Sequence, residues 1–319
     1  GNPQVVYPLL QQNLDKLDLT LAETIPDLAS QVFGQVESSQ AYGIAGIIFL
    51  FGNLIQQFPL GNRADNLEIA IACYESVLTV FTREYFPEEW AKAQNNLGRA
   101  YIHRTQGKRS ENIELAIKTL ELALEVFRNK SLLQDWAMTE NNLGNAYFVR
   151  IKGSKKENIE TAISYANDAL RLISRQDFAY EWARSKNLLG ISYLARIKGD
   201  RKNNIEIAID TLEVALEIYT REAFLYEWAS IQINLGQAYW QRIQGERAEN
   251  LERAIGFFQS ALQVYTREAF PFEWAGTQTN LGETYRNRIR GKKVENLETS
   301  IAFLETSLQV YTREAFPYE

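Results

Sequence analysis

The chain has 319 residues, a formal net charge of −6, one cysteine and one histidine. The lack of a basic excess argues against nucleic-acid binding through phosphate neutralisation. A single cysteine excludes an internal disulfide framework and fits a reducing compartment, and one cysteine with one histidine cannot build a metal site. The longest apolar run, from Ile44 to Phe51, is too short to span a bilayer. The sequence therefore predicts a cytoplasmic protein with no membrane segment, no metal and no cofactor.

The first 40 residues lie outside the periodic part of the chain. Amphipathic helices are predicted from Val5 to Leu17 and from about Pro26 to Val36. Repeat arrays need capping elements at their ends, so residues 1–40 are predicted to form an N-terminal helical cap.

A period of 46 residues begins at residue 41 and extends to residue 319. Tryptophan recurs at that spacing in the phrases that begin EWA or DWA, at Trp90, Trp136, Trp182, Trp228 and Trp274. Residues 41–84 are a degenerate first repeat with Ile44 in the tryptophan position, and the later repeats begin near residues 85, 131, 177, 223 and 269. Self-similarity at this period indicates a solenoid. The chain stops at Glu319, one residue before the next tryptophan is due, so we expect a truncated C-terminus.

Each repeat has the apolar spacing of two helices. Trp90, Leu97, Tyr101 and Arg104 share one helical face, and Gly98 beside them would let a neighbouring helix approach closely. A second amphipathic stretch follows after the loop glycine of each repeat. The predicted fold is therefore all-α, an α-solenoid of helical hairpins.

The residues Leu97, Gly98 and Tyr101, followed by Ala116 and Ala123, resemble the tetratricopeptide repeat. The unit here is longer than the usual one of about 34 residues. The resemblance implies a right-handed superhelix whose first helices line a concave groove that holds extended peptides or partner helices.

Longer phrases resemble cyanobacterial tetratricopeptide proteins. They lie from Asn2 to Asp18, from Asn53 to Ala72 and in the repeated YTREAFP. In that group, such an array often precedes a caspase-like CHAT peptidase domain. The resemblance implies a regulatory or recruiting array within a larger effector protein, and it places no peptidase in this chain.

Columns that are identical in every copy are expected to serve the stack of repeats. We predict a structural ladder of paired charges from the arginine column, which is Arg104, Arg150, Arg196, Arg242 and Arg288, and the glutamate column, which is Glu114, Glu160, Glu206, Glu252 and Glu298. An asparagine column is predicted to cap the second helix or to tie the loop, at Asn66, Asn112, Asn158, Asn204, Asn250 and Asn296.

Columns that vary between copies are free to specify a ligand. On the first helices we assign them to a ligand-binding groove: Ile102, Phe148, Leu194, Trp240 and Arg286, then Arg99, Asn145, Ile191, Gln237 and Glu283, then His103, Val149 and Gln241. Trp240 is the only tryptophan outside the 46-residue register, so it is either a groove anchor or a packing residue. A further row binds a peptide backbone or else links adjacent helices, at Asn96, Asn142, Asn234 and Asn280.

The sequence offers little for catalysis. Cys73 and His103 are predicted on different helix faces, beyond the reach that a nucleophilic pair needs. The basic residues after the loop glycines, such as Arg109 and Arg201, form a stripe that is either a solvated edge or a dock for an acidic partner. We therefore expect a non-enzymatic scaffold that binds a protein or peptide. The alternatives are self-assembly into a homo-oligomer through the array ends, and an enzyme.

Overall fold

The computed structural model describes residues 2–311, and all regular secondary structure in them is helical. Gly1 and residues 312–319 lie outside the described residues, and so does the expected truncation of the last repeat. The prediction of an all-α fold built from helical hairpins is confirmed. Fourteen α-helices occur between residues 2 and 311, with a short 3-10 turn at Leu14–Lys16. They are α1 Pro3–Gln11, α2 Leu19–Gln35, α3 Ser38–Gln57, α4 Arg63–Val77, α5 Pro87–His103, α6 Arg109–Asn129, α7 Leu133–Phe148, α8 Lys155–Leu172, α9 Ala179–Ala195, α10 Arg201–Leu216, α11 Leu225–Gln241, α12 Arg247–Leu262, α13 Pro271–Asn287 and α14 Lys293–Leu308.

The chain divides into two compact units at a boundary between repeats. The first unit ends at Ile173 and contains α1 to α8, and the second begins at Ser174 and contains α9 to α14. From α3 onward, odd-numbered helices are the first helices of hairpins and even-numbered helices are the second. Within each unit a first helix packs on its own second helix, each second helix packs on the next first helix, and successive first helices touch.

The N-terminal segment differs in detail from the expected cap. α1 ends at Gln11, and α2 begins after Asp18, whose carboxylate accepts a hydrogen bond from the Leu21 amide at 3.0 Å. This N-cap starts the helix early, so Pro26 lies inside α2 and not at its start. α2 packs mainly on α4 of the first hairpin.

Glycine sets the close approach of the two helices in a hairpin. A Cβ atom added at Gly98 would lie 2.5 Å from Leu120 Cγ, and one added at Gly236 would lie 2.5 Å from Phe258 Cε1. Both distances are far below van der Waals contact, so only glycine permits this packing. The predicted role of this glycine is confirmed at both positions.

A buried asparagine ties each loop between the two helices. Asn112 Nδ2 donates to the Gln106 carbonyl at 2.7 Å, and Asn250 Nδ2 donates to the Gln244 carbonyl at 2.9 Å. The loop glycine beside each tie has a positive φ, which is +75° at Gly107 and +79° at Gly245. The predicted loop tie is confirmed. The predicted cap is wrong, because the N-cap lies four residues earlier, for example at Lys108 before Asn112.

α3 is the one helix among residues 2–311 whose length and composition would allow it to cross a membrane. In this fold it is the first helix of the first hairpin. Ala45, Gly52 and Ile55 are buried, and Asn53 Oδ1 and Gln56 Oε1 both accept hydrogen bonds from the Tyr74 hydroxyl. These contacts hold α3 against α4.

The glycine contact yields a matched pair of substitutions in the second unit. Gly236→Ala should lower the free energy of unfolding by about 1–3 kcal/mol, because the new methyl group meets Phe258. Gly256→Ala on α12 meets nothing within 4 Å, and should stabilise by up to about 1 kcal/mol through helix propensity. Urea denaturation monitored by circular dichroism measures both. Equal effects of the two changes would contradict the assignment.

Candidate interaction surfaces

A ladder of ion pairs joins consecutive repeats. The arginine at the end of a first helix reaches the glutamate on the second helix of the preceding repeat, 36 residues earlier. In the first unit Arg104 Nη2 lies 2.7 Å from Glu68 Oε2, and in the second unit Arg242 Nη2 lies 2.6 Å from Glu206 Oε2. The predicted structural ladder is confirmed for these pairs and for Arg150–Glu114 and Arg288–Glu252. The paired carboxylates are occupied and offer little to a ligand.

Aromatic side chains reinforce the ladder. The Arg242 guanidinium lies 5.3 Å from the Tyr239 ring centroid. The Tyr239 hydroxyl donates to Glu213 Oε1 at 3.1 Å, on the second helix of the preceding repeat. In the first unit the Tyr101 hydroxyl donates to Glu75 Oε1 at 2.6 Å in the same way. One first helix therefore delivers a guanidinium and a hydroxyl to two glutamates on its neighbour.

The basic residues after the loop glycines bond to backbone carbonyl groups, a role that the sequence columns alone do not reveal. Lys155 Nζ donates to the Phe148 carbonyl at 2.8 Å, and Arg201 Nη1 donates to the Leu194 carbonyl at 2.5 Å. Arg109 and Arg247 bond to the carbonyls of Ile102 and Trp240 in the same arrangement. These side chains satisfy carbonyl groups left open at the ends of the first helices. In each of these repeats the basic residue lies seven positions after the residue whose carbonyl it contacts, and this constant spacing is the sequence signal for the contact.

The residues assigned to the ligand groove differ in how much of each is exposed to solvent. Ile102, Asn142 and Leu194 are buried, so they are removed from any accessible surface. His103 and Arg286 are exposed, and Arg286 forms an ion pair with Glu283 at 2.5 Å. The remaining assigned residues are half-buried, namely Asn96, Arg99, Asn145, Phe148, Val149, Ile191, Asn234, Gln237, Trp240, Gln241, Asn280 and Glu283.

The asparagine row links adjacent first helices. In the first unit Asn96 Nδ2 donates to Asn53 Oδ1 at 2.7 Å, and Asn142 Nδ2 donates to Asn95 Oδ1 at 2.8 Å. In the second unit Asn234 Nδ2 donates to Asn187 Oδ1 at 2.9 Å. Of the two roles left open by the sequence, these contacts support the one between helices. Each of these side-chain amides uses an N–H donor for the adjacent helix, so fewer of its donors are available to a peptide backbone.

Trp240 packs against the core of the second unit. Its half-buried ring contacts the cluster that contains Leu194 and Leu235. The Arg247 guanidinium lies 6.0 Å from the ring centroid, and the buried indole Nε1 has no hydrogen-bond partner among residues 2–311. A half-buried ring that packs against the core supports the packing role over the groove anchor.

The tryptophans in the 46-residue register are half-buried, and each lies beside an arginine. Arg83 lies 5.6 Å from the Trp90 ring centroid, and Arg221 lies 5.5 Å from that of Trp228. The same contact is made by Arg128 with Trp136, Arg175 with Trp182 and Arg267 with Trp274. These cation–π pairs place the tryptophans at the edge of the core and not at its centre.

An apolar pocket opens between α3 and α5 in the first unit. It has a volume of about 360 Å³ and we name it the α3–α5 pocket. It is lined by Tyr42, Gly43, Gly46, Ile47, Phe49 and Leu50 on α3, by Glu89 and Lys92 on α5, and by Phe81. The repeat columns do not single out this pocket, because α3 belongs to the degenerate first repeat. A signal was present, since Leu50 lies 46 residues before Asn96, in a column assigned to the groove.

Two large apolar side chains in the α3–α5 pocket face solvent. Ile47 is 69% exposed and Leu50 is 47% exposed. A Cβ added at Gly43 or at Gly46 would meet nothing within 4 Å. The Tyr42 hydroxyl donates to Glu89 Oε1 at 3.1 Å at the rim. This surface is apolar at its centre and polar at its edge.

Cys73 and His103, the two side chains that could form a nucleophilic pair, differ in their exposure to solvent. The Cys73 thiol is fully buried, and burial raises its pKa to about 12, so it stays protonated. His103 is exposed at the end of α5. Between residues 2 and 311 no group of three or more histidine, cysteine, aspartate and glutamate side chains could hold a metal ion.

The carboxylates of the ladder should make stability depend on pH. The hydrogen bond from Arg288 lowers the pKa of Glu252 from its ordinary 4.5. The ion pair therefore stabilises the folded protein fully at pH values above 4.5, the ordinary pKa of a glutamate. This stabilisation is lost as the pH falls through the lowered pKa of Glu252. Glu252→Gln should cost about 1–2 kcal/mol at neutral pH and should flatten the acid branch of the stability curve.

Urea denaturation across a pH series measures this dependence. Glu295→Gln is the matched control, because Glu295 is exposed and forms an ion pair with Lys292, three residues earlier on the chain. The control should follow the wild-type curve. A Glu252→Gln curve as steep as that of the wild type would refute the assigned role.

The packing role of Trp240 predicts a stability effect. Trp240→Ala should lower the free energy of unfolding by about 2–4 kcal/mol, because the ring contacts the core of the second unit. Trp240→Phe, which keeps an aromatic ring and removes the unpaired indole N–H, should cost much less. Thermal denaturation compares the two variants, and a loss below about 1 kcal/mol for Trp240→Ala would favour the surface anchor instead.

No protein-family model matches this chain, and no curated protein matches it.

Proposed function

We propose that this chain is a non-catalytic protein-interaction scaffold and that its α3–α5 pocket binds an amphipathic helix of a partner protein. The observation that carries the proposal is the exposure of Ile47 and Leu50 beside two glycines that face open space. Apolar groups displayed together in a concave site mark a surface that a protein partner covers.

The glycines favour a helix as the occupant. Gly98 and Gly236 are two of the glycines at which this chain brings two helices into close contact. Gly43 and Gly46 have the same lack of a side chain and lie three residues apart, on one side of α3. A Cβ atom added at either glycine would meet no atom of another element of the described chain within 4 Å. A partner helix can therefore approach the α3 backbone closely and place a bulky apolar side chain between Ile47 and Leu50.

The rim favours a protein over a lipid surface. Glu89 and Lys92 border the pocket on α5. An apolar centre with a polar rim is typical of protein interfaces, whereas burying both charges in a bilayer would be costly. Charge complementarity then calls for a basic side chain on the partner near Glu89 and an acidic one near Lys92.

A wider role follows from the resemblance to cyanobacterial arrays. We propose that the scaffold works in the cytoplasm and recruits or regulates an effector. The support for this extension is the set of sequence phrases from Asn2 to Asp18 and from Asn53 to Ala72. The test uses a longer protein that contains both this array and a peptidase domain. Its proteolytic activity should change when a partner helix binds the α3–α5 pocket.

The pocket can be tested with a library of helical peptides. Peptides selected on the wild-type chain should carry bulky apolar residues at helical spacing. Ile47→Asp and Gly46→Leu should each weaken their binding by about tenfold or more, since one adds a charge and the other fills the pocket. Fluorescence anisotropy with labelled peptides gives the dissociation constants.

Leu28→Asp on α2 is the matched control, because Leu28 is an exposed apolar residue that does not line the pocket. The control should bind as the wild type does, and all three variants should melt alike. If the selected peptides bind Ile47→Asp and Gly46→Leu with the same dissociation constants as the wild type, the pocket is not the binding site. Binding of these chains to anionic vesicles, lost in Ile47→Asp, would instead indicate a membrane surface.

A further inference from the structure

An isoleucine column of the repeat is exposed to solvent in every copy that carries it. The isoleucine stands directly after the arginine column. In the second unit Ile197 is 60% exposed, Ile243 is 59% exposed and Ile289 is 60% exposed. Ile151 in the first unit is also 60% exposed. One exposed isoleucine needs no explanation, but four that are exposed alike do, because a constant column is otherwise expected to pack between repeats.

The fold of the loop does not require the isoleucine. In the second unit the buried Asn250 side chain donates from Nδ2 to the carbonyl of the residue after Ile243, at 2.9 Å. In the first unit one loop has Thr105 at the isoleucine position. That loop has the same tie, because Asn112 Nδ2 donates to the carbonyl of the residue after Thr105 at 2.7 Å. The isoleucine side chain is therefore available for an external contact.

Contacts between consecutive loops place the three isoleucines of the second unit along one edge. Arg201, after the first isoleucine, donates to the side-chain carbonyl of Gln241, just before the second. Arg290, directly after the third isoleucine, lies with its Nη2 2.9 Å from Oε2 of Glu249, which follows the second. We name this surface the isoleucine edge, and it consists of residues 197–203, 243–249 and 289–295.

The isoleucine edge is positively charged, although the whole chain is not. Its three segments contain seven cationic and four anionic side chains, a net charge of +3, whereas the chain carries −6. Two of the anions are bonded within the edge, since Asp200 accepts from the Asn203 amide at 2.8 Å and Glu249 pairs with Arg290. The edge therefore favours an anionic partner. Three of its exposed lysines make no ion pair among residues 2–311, namely Lys198, Lys202 and Lys293.

We propose that the isoleucine edge binds the surface of an anionic lipid bilayer. The isoleucine side chains enter the boundary between headgroups and acyl chains, and the lysine ammonium groups stay among the lipid phosphates. One side chain repeated along the array suits a bilayer, whose surface is uniform, better than a folded protein, whose surface differs from point to point. Nucleic acid fits less well, because the three segments contain no aromatic ring on which a base could stack. The proposal does not depend on the α3–α5 pocket.

Sedimentation of the full chain with lipid vesicles tests the proposal. Vesicles of phosphatidylserine and phosphatidylcholine in equal parts should bind the chain, and added salt should weaken the binding. Vesicles of phosphatidylcholine alone should bind it at least about tenfold more weakly. Ile243→Asp should weaken binding to the anionic vesicles by about tenfold or more, because a carboxylate opposes insertion and is repelled by the lipid charge. Ile243→Leu keeps an apolar side chain and should bind as the wild type does.

Leu225→Asp is the matched control, because Leu225 is exposed at the start of α11 and Ile243 follows the other end of that helix. This control should bind anionic vesicles as the wild type does. Ile47→Asp in the α3–α5 pocket should also leave vesicle binding unchanged, which separates this proposal from the pocket. The changed side chains are exposed, so circular dichroism should show equal folding for every variant.

The proposal is overturned if the wild type does not bind anionic vesicles, or if Ile243→Asp binds them unchanged. It is also overturned if the chain alone forms oligomers in sedimentation that Ile243→Asp dissociates, because a second copy would then cover the isoleucine edge.

Discussion

The bidentate pair between an arginine and the glutamate 36 residues before it is the interaction on which the stacking depends. In the second unit it occurs as Arg242–Glu206 and Arg288–Glu252. Half-buried pairs of this kind contribute only modestly to net stability, since the attraction is offset by lost hydration. Their geometry is demanding, however, and the fork of the guanidinium fixes the position of one helix along the next. The ladder therefore sets register more than it adds stability.

The contacts within a hairpin are of a different kind. Glycine at Gly98 or Gly236 allows the two helices to approach until a large side chain of the second fills the gap. The buried asparagine then holds the connecting loop through carbonyl groups that would otherwise lack a partner. Apolar packing and loop ties fix the hairpin, and directional polar contacts join one hairpin to the next. The α3–α5 pocket is a place where this packing leaves apolar side chains open to solvent.

Repetition made much of the fold predictable. The hairpins, the close approach at glycine, the loop tie and the arginine ladder all follow from columns compared between copies. Comparing repeat copies does not reveal a function where only one copy differs from the rest, as at Ile47 and Leu50 on α3, because no other copy shares the change. It also cannot separate a side chain that faces a ligand from one that faces an adjacent helix. Variation at Leu194 and Trp240 reflects packing that changes from repeat to repeat, and their burial depends on neighbours that the sequence does not identify.

The ladder also limits how the length of such a chain can change. Each arginine finds its glutamate at a fixed separation, so inserting or losing a few residues within a helix would misalign every pair across that junction. Removing one whole period between equivalent loops leaves all separations intact. Gene duplication and unequal recombination in units of one repeat are therefore the changes that this architecture accommodates, and the array can lengthen or shorten without any new side-chain contact.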